Sequence, residues 1–348
     1  MPDVLDRIDR QLLQIIQVEI PLVERPFAAL GARLGIDEEQ VLARMVKLAE
    51  TDGPIRQISA VFDSRALGYE SVLAAGEYDS DRIEVAAAVI CRHPGVSHCY
   101  QRDHRYNLWY TLTIPPASRL GLDRTLAKLD VLSGAVVTRK FPAIRSFKIE
   151  VNLDMTGQRE PTSASAPSGR SAENGRIAQR LPVPPEEMPM LRALQEDLSI
   201  EPRPFDRLAA AAGCSVRQLL DAARRMIERG QMRRYAAVLR HYQAGFVANG
   251  MVCWRVPEER IDPVGRTMAT FNAVSHCYLR SICDDWPFNL YTMIHGRSRE
   301  ECLAVVDALT SATGIADYRV LWSVREFKKA RVRYFSGDID AWETRHAE

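Results

Sequence analysis

The sequence predicts an α+β fold made twice in tandem, each half a winged helix-turn-helix followed by a ferredoxin-like αβ sandwich. Three observations predict it. First, Val96-Ser97-His98-Cys99-Tyr100 returns as Val274-Ser275-His276-Cys277-Tyr278, 178 positions later in a chain of 348 residues. Second, further pairs keep nearly that spacing: Arg25-Pro26-Phe27 with Arg203-Pro204-Phe205, Gly68-Tyr69 with Gly245-Phe246, and Asn107-Leu108 with Asn289-Leu290. Arg145-Ser146-Phe147-Lys148 likewise returns as Arg325-Glu326-Phe327-Lys328. Third, both copies run through the same order of helical and strand-like periodicities. A repeat of this length is domain-sized, far beyond the roughly 20–50 residues of a solenoid unit.

The elements follow in order. Leu5, Ile8, Leu12, Ile15 and Ile16 mark one face of a first helix. After the bends at Pro21 and Pro26 comes a short helix from Phe27, and Asp37 with Gln40 suits the capping box of a third. Gly53-Pro54 stops that helix and 55–62 alternates as a strand, completing a winged helix-turn-helix over 1–63. Residues 64–155 then read strand, helix, strand, strand, helix, strand, the split βαβ order of a ferredoxin-like sandwich. Residues 156–187 are rich in Ser, Pro, Gly, Ala and Arg without an aromatic residue, as expected of a flexible linker. The second helix-turn-helix is expected over 188–240, the second sandwich over 241–335, and a tail over 336–348.

Bulk properties narrow the classes. The chain suits two halves of about 150 residues, and 46% hydrophobic residues can give each a core. A formal net charge of +1 supplies no general attraction to nucleic acid or a membrane surface. Seven cysteines without a Cys-x-x-Cys pair, and no apolar run at the start, lead us to expect a cytoplasmic protein with free thiols.

Unusual side chains collect on the sandwich hairpins. Strand alternation puts His98, Tyr100 and Arg102 on one face and Cys99 and Gln101 on the other, and does the same for His276, Tyr278 and Arg280. One face of each copy thus offers an imidazole, a phenol and a guanidinium in a row, joined by His104 or His295. A lone His on a strand face is more often structural than catalytic; its duplication with the same neighbours favours chemistry. An Arg beside a His suits a carboxylate held by two hydrogen bonds. Trp109 either fills the core or walls a flat ligand, and Cys99 and Cys277 read as small core hydrophobes. Metal-ligand spacing, a P-loop and Gly-x-Gly-x-x-Gly are all absent.

A winged helix-turn-helix with such a sandwich resembles the leucine-responsive/asparagine regulators, which bind DNA under control of a small ligand. The reading helix of copy one, however, opens Asp37-Glu38-Glu39, and its span to Glu50 carries four acids against two bases. Such an edge opposes phosphate binding. Copy two's helix, with Arg217, Arg224, Arg225 and Arg229, no longer matches it, which suits a palindrome poorly.

The segments Val96-Ser97-His98-Cys99-Tyr100-x-Arg102-x-His104-x-Tyr106-Asn107-Leu108-Trp109, Trp286-Pro287-Phe288-Asn289-Leu290-Tyr291-x-Met293-Ile294-His295-Gly296 and Arg325-Glu326-Phe327-Lys328-Lys329 are similar to those of the siroheme decarboxylases. That resemblance spans nearly the whole chain. It implies a fusion of two subunit types that occur elsewhere as separate chains, paired here as an internal pseudodimer. It also implies removal of two acetate carboxyls from siroheme to give didecarboxysiroheme, without oxygen, on the way to d1-type or ordinary haem. His98, His104, His276 and His295 are then the proton-transfer candidates, one of them a candidate ligand of the substrate iron. Tyr100 and Tyr278 stand with them as catalytic candidates. Arg102, Arg280, Lys148, Lys328, Asn107, Asn289 and Trp109 are expected to bind substrate. No cofactor is expected, because the tetrapyrrole is its own electron sink; the expected partners are siroheme and its product, with no DNA. The alternatives are a ligand-sensing regulator and a haem sensor without catalysis.

Overall fold

The computed structural model describes residues 5–149, 154–155, 160–163, 180–240 and 248–346. Copy one contains α1 (Arg7–Ile16), α2 (Pro26–Leu34), α3 (Glu38–Leu48), β1 (Ile55–Phe62), β2 (Glu70–Glu77), α4 (Ile83–Cys91), β3 (Val96–Arg102), β4 (Leu108–Ile114), α5 (Gly121–Ser133) and β5 (Val137–Ile149). Copy two repeats them as α6 (Met188–Leu194), α7 (Phe205–Ala211), α8 (Val216–Glu228), β6 (Met232–Leu239), β7 (Ala248–Trp254), α9 (Ile261–Thr270), β8 (Val274–Arg280), β9 (Leu290–Gly296), α10 (Arg299–Thr313) and β10 (Tyr318–Lys329). A last helix, α11 (Asp338–Arg345), follows. The described residues form two compact units that cut across the two copies.

One unit gathers both helix-turn-helix segments. Asp6 caps α1 in a reciprocal box with Asp9, and the Arg44 guanidinium binds both carboxylates at 2.6 Å. Pro26 opens α2, where its missing N–H costs nothing, and Gly35 ends it at φ 70°, a left-handed conformation that an L side chain resists. Asp37 caps α3 by accepting the Gln40 N–H. Ser215 and Gln218 form the reciprocal box in copy two. The wings β1 and β6 pair antiparallel with each other, Ile55 opposite Leu239 and Phe62 opposite Met232. Two half-motifs are thereby fused into one body.

Most of the expected linker lies outside the described residues, but its end does not. Pro185–Glu187 forms a 3-10 turn leading into α6. The buried Glu187 carboxylate binds Arg225 and Arg229 of α8, so ordered structure begins before 188.

In the other unit eight antiparallel strands close as β10-β3-β4-β2-β5-β8-β9-β7. The long strands β5 and β10 close the barrel. The first half of β5 pairs with β2 and its second half with β8; β10 pairs first with β7, then with β3. Each copy therefore ends its own sheet and begins the other's, and no sheet edge is left. Each outer face is covered by its copy's own helix pair. Val72, Tyr110, Ile90 and Leu129 are among the residues of one core, and Trp254, Met268, Val305 and Leu309 of the other. A third cluster draws on both copies and fills part of the barrel interior: Tyr106, Trp109, Phe141, Met251, Trp286, Tyr291 and Leu321 among others.

The expected tail is ordered to residue 346. Trp342 of α11 is 3% exposed and joins the copy-one core. Buried Glu343 accepts the Ser118 hydroxyl and the Arg119 N–H. The tail reads as loose only because its docking surface is remote in sequence.

Candidate active site

The repeated pentapeptide begins β3 and β8, and both strands carry a bulge there. Register against the neighbouring strand slips between Val96 and His98, and between Val274 and His276. The extra residue lets Val96 and Cys99 both face the helices, as Val274 and Cys277 do. Strict alternation would have turned one of each pair into the barrel. His98, Tyr100 and Arg102 consequently face the barrel interior; Tyr100 stands opposite Trp109, whose indole lies in the shared cluster.

The two ladders are nearly superimposable. The His98 ring lies 6.3 Å from that of Tyr100 at 23°, and His276 lies 6.0 Å from Tyr278 at 23°. Arg102 stands 5.4 Å from the Tyr100 centroid and Arg280 4.8 Å from that of Tyr278. Each guanidinium is anchored through Nη1 to a carbonyl of the adjoining long strand, Arg102 to Leu321 at 2.8 Å and Arg280 to Phe141 at 2.7 Å. Ser97 and Ser275 set the imidazoles, their hydroxyls 2.9 Å from Nδ1 of His98 and His276. That contact fixes each ring at Nδ1.

The environments then diverge. Glu326 accepts the Tyr100 hydroxyl at 3.1 Å, whereas Ser146 stands at the matching register position against Tyr278. His295 is level with Thr113 of copy one. Burial, followed by the charges of His276, Lys329 and Arg102, pushes the His295 imidazole down to about 3. Such a ring stays neutral at ordinary pH, so before substrate arrives it is suited to bind iron. The sequence offers His295 as a proton-transfer candidate or as the iron ligand, and its neutral resting state suits the second. His104 lies on the hairpin tip instead of the ladder. Its Nδ1 accepts the Tyr106 N–H at 3.0 Å, its edge meets Trp286 at 5.1 Å, and burial then Arg319 lower its pKa.

Four residues expected to contact substrate are hydrogen-bonded to backbone groups. Asn107 receives the Tyr78 N–H at 3.1 Å and donates to its carbonyl at 2.7 Å; Asn289 does the same for Val256 at 3.0 and 2.8 Å. Both amides are thus spent replacing ladder bonds. Lys148 donates to the Phe271 carbonyl at the end of α9, and Lys328 to the carbonyls of Cys91 and His93 at the end of α4. Each lysine caps a helix of the opposite copy, where the dipole favours a cation. Trp109 is 1% exposed, donates to the Tyr106 carbonyl at 2.7 Å and stacks on Phe141. It is barrel core.

Sequence reasoning missed the roles of Ser97, Ser275, Glu326 and Lys329, although all lie within the quoted motifs. The serines act on the next residue along, while the other two are read only across strands, Lys329 opposite His98 and Glu326 opposite Tyr100. It also missed the longer copy-two tip, which sends Trp286 into the barrel while Asp285 binds Arg139 and Tyr106 of copy one. A cavity of about 450 Å³ lined by Glu70, Leu122, Asp123, Arg124 and Lys140 lies on the outer side and includes no candidate. Among the described residues no three His, Cys, Asp or Glu converge as a metal site, and no helix is long and apolar enough to cross a membrane.

Comparison with known proteins agrees with this layout. A family described as the siroheme decarboxylase NirDL-like HTH domain matches residues 9–56 and 188–233, and the AsnC-like ligand binding domain matches 66–148 and 243–328. The siroheme decarboxylase of Hydrogenobacter thermophilus is 37% identical over 334 residues, 95% of this chain and 96% of its own. The siroheme decarboxylase beta subunit of Methanosarcina barkeri is 41% identical over 144 residues, 41% of this chain and 95% of its own. A crystal structure of the siroheme decarboxylase NirDL in complex with an iron-uroporphyrin III analogue matches with a TM-score of 0.73 at 32% identity, covering 98% of this chain and 99% of that one.

Proposed function

The chain belongs to the siroheme decarboxylase family, and from that premise we propose that it removes two acetate carboxyl groups from siroheme to give didecarboxysiroheme. The observation that carries this reading is the gathering of cationic groups on one barrel face. Arg102, Lys329 and His276 all act on His295, while the second ladder adds Arg280. A polycarboxylate macrocycle is the complementary ligand.

In the reaction the bond from an acetate methylene to its carboxylate breaks, carbon dioxide leaves, and the electron pair spreads into the macrocycle. A proton then reaches the carbon left behind, making a methyl group. His98 and His276, each held at Nδ1 by its serine, deliver that proton. Tyr100 and Tyr278 steady the rings, and Arg102 and Arg280 hold carboxylates. His295, neutral in the resting protein, is the group suited to the substrate iron. His104 serves from the tip, bordering the macrocycle beside Trp286. The macrocycle acts as the electron sink, so no separate cofactor takes part.

DNA is not a partner in this reading. Glu38 and Glu39 lead α3, and in α8 Arg224 is paired with Asp221 while Arg225 and Arg229 are paired with Glu187. Seven free thiols suit a reducing cytoplasm. The test is anaerobic incubation of the purified protein with siroheme, followed by mass spectrometry of the tetrapyrrole. Loss of two carboxyl groups is expected; an absorbance shift with unchanged mass would make the protein a sensor instead.

A further inference from the structure

Two of the buried polar atoms that lack a hydrogen-bond partner are Oδ1 of Asn249, a residue 7% exposed, and Oγ of Ser323. They belong to one place. Asn249 stands opposite His295 across β7 and β9, and Ser323 opposite Arg102 across β10 and β3. β7 and β10 run side by side as far as Gly250 opposite Trp322, so Asn249 and Ser323 are the next residues along. The Trp322 ring lies over Gly250 on the helix side, which sends Asn249 and Ser323 to the barrel side. His295, Asn249, Ser323 and Arg102 therefore form one row across four strands.

The corresponding row in copy one has another character. Its members are Thr113, Ser71, Ala143 and Arg280, with Ser71 opposite Thr113 and Ala143 opposite Arg280. There the Ser71 and Thr113 hydroxyls lie 3.0 Å apart and satisfy each other, and Ala143 has no polar group to satisfy. Unmade hydrogen bonds in a buried site cost stability, and such a site is retained when a ligand completes it. Half a turn of the Asn249 amide offers Nδ2 where Oδ1 stands, and the Ser323 hydroxyl donates or accepts.

We propose that Asn249 and Ser323, with the Arg102 guanidinium, bind an acetate carboxyl of the tetrapyrrole beside His295, and that the copy-one row does not. The proposal rests on the siroheme decarboxylase reading and assigns one working acetate subsite to a fold with two similar rows. These are positioning residues, distinct from the imidazoles that move protons.

The experiment compares iron uroporphyrin III, which carries acetates and propionates, with iron coproporphyrin III, which has methyl groups in place of the acetates. Binding is followed by absorbance titration for the wild type, Asn249→Ala and Ser323→Ala. Each variant is expected to lose about tenfold in affinity for the uroporphyrin, the scale of a hydrogen bond to a carboxylate, with coproporphyrin affinity unchanged. Ser71→Ala and Thr113→Val should alter neither by more than about twofold. With no hydrogen bond to lose and an unsatisfied buried group removed, Asn249→Ala and Ser323→Ala should melt no lower than the wild type in the absence of ligand. Equal losses for both porphyrins, no loss, equal effects in the copy-one row, or a lowered melting temperature would each overturn the proposal. Wild-type siroheme turnover, measured separately, tests the underlying reading, so the two can fail independently.

Discussion

At the scale of single residues, the barrel orders its imidazoles by their surroundings. His98 and His276 share a serine partner and a stacked tyrosine, while His295 is kept neutral by burial and neighbouring positive charge. Replacing His98 or His276 by Ala should slow siroheme turnover at least about 100-fold, the lower range for loss of a general acid, while siroheme still binds. Unchanged rates in both variants would remove proton transfer from these rings. Ser97→Ala and Ser275→Ala release Nδ1 and should lower kcat by about tenfold with KM little changed, the size of one lost orienting hydrogen bond. A change in KM alone would place these serines in substrate binding.

His93 supplies a pH signature. It is fully buried, accepts the Gly95 N–H at 3.0 Å and lies against Trp342, and burial pushes its pKa down to about 3. Its folded value lies below the unfolded one, so between about 6.5 and 3 only the unfolded chain binds this proton. Stability is therefore complete above the unfolded value and falls as the medium is acidified, by up to about 1.4 kcal/mol per pH unit from this group. His93→Gln should flatten that slope in urea unfolding across a pH series; an unaltered slope would show that other groups govern acid sensitivity.

At the scale of elements, the bulge and the exchanged strands matter most. The bulges keep Val96, Cys99, Val274 and Cys277 in the two cores while the functional faces turn inward. Lys148 and Lys328 lie on strands that cross between the copies, and each seals a helix end in the other. Lys148→Met and Lys328→Met should each cost about 0.5–1 kcal/mol in chemical denaturation, as expected for a cation lost from a helix terminus, and leave KM for siroheme unchanged. A large rise in KM without loss of stability would restore them to substrate binding.

At the scale of the whole molecule, duplication gives two similar ladders and divergence makes them unequal. Copy two's longer tip inserts Trp286 into the shared cluster, and α11 adds Trp342 to the core of copy one alone. Ending the chain at Gly337 exposes the Trp342 site and should cost about 3–5 kcal/mol, as for deletion of a large buried aromatic. Thermal unfolding should show a melting point several degrees lower; an unmoved transition would mean that α11 only rests on the surface.

The sequence by itself determined the duplication, the order of elements, the family, and that His98, Tyr100 and Arg102 share one strand face, as their twins do. Periodicity and recurrence are local signals, and they survive without coordinates. Only the tertiary structure decided that Lys148, Lys328, Asn107 and Asn289 recur because backbone groups need them, and that Trp109 is barrel core. It alone showed that Glu326 meets Tyr100, that Ser323 and Asn249 share a row with His295 and Arg102, and that 185–187 and 338–345 are ordered. Those assignments depend on which strand lies beside which. Register across a closed barrel joins residues as distant as Tyr100 and Glu326, 226 positions apart, by hydrogen bonds that leave no periodic trace along the chain.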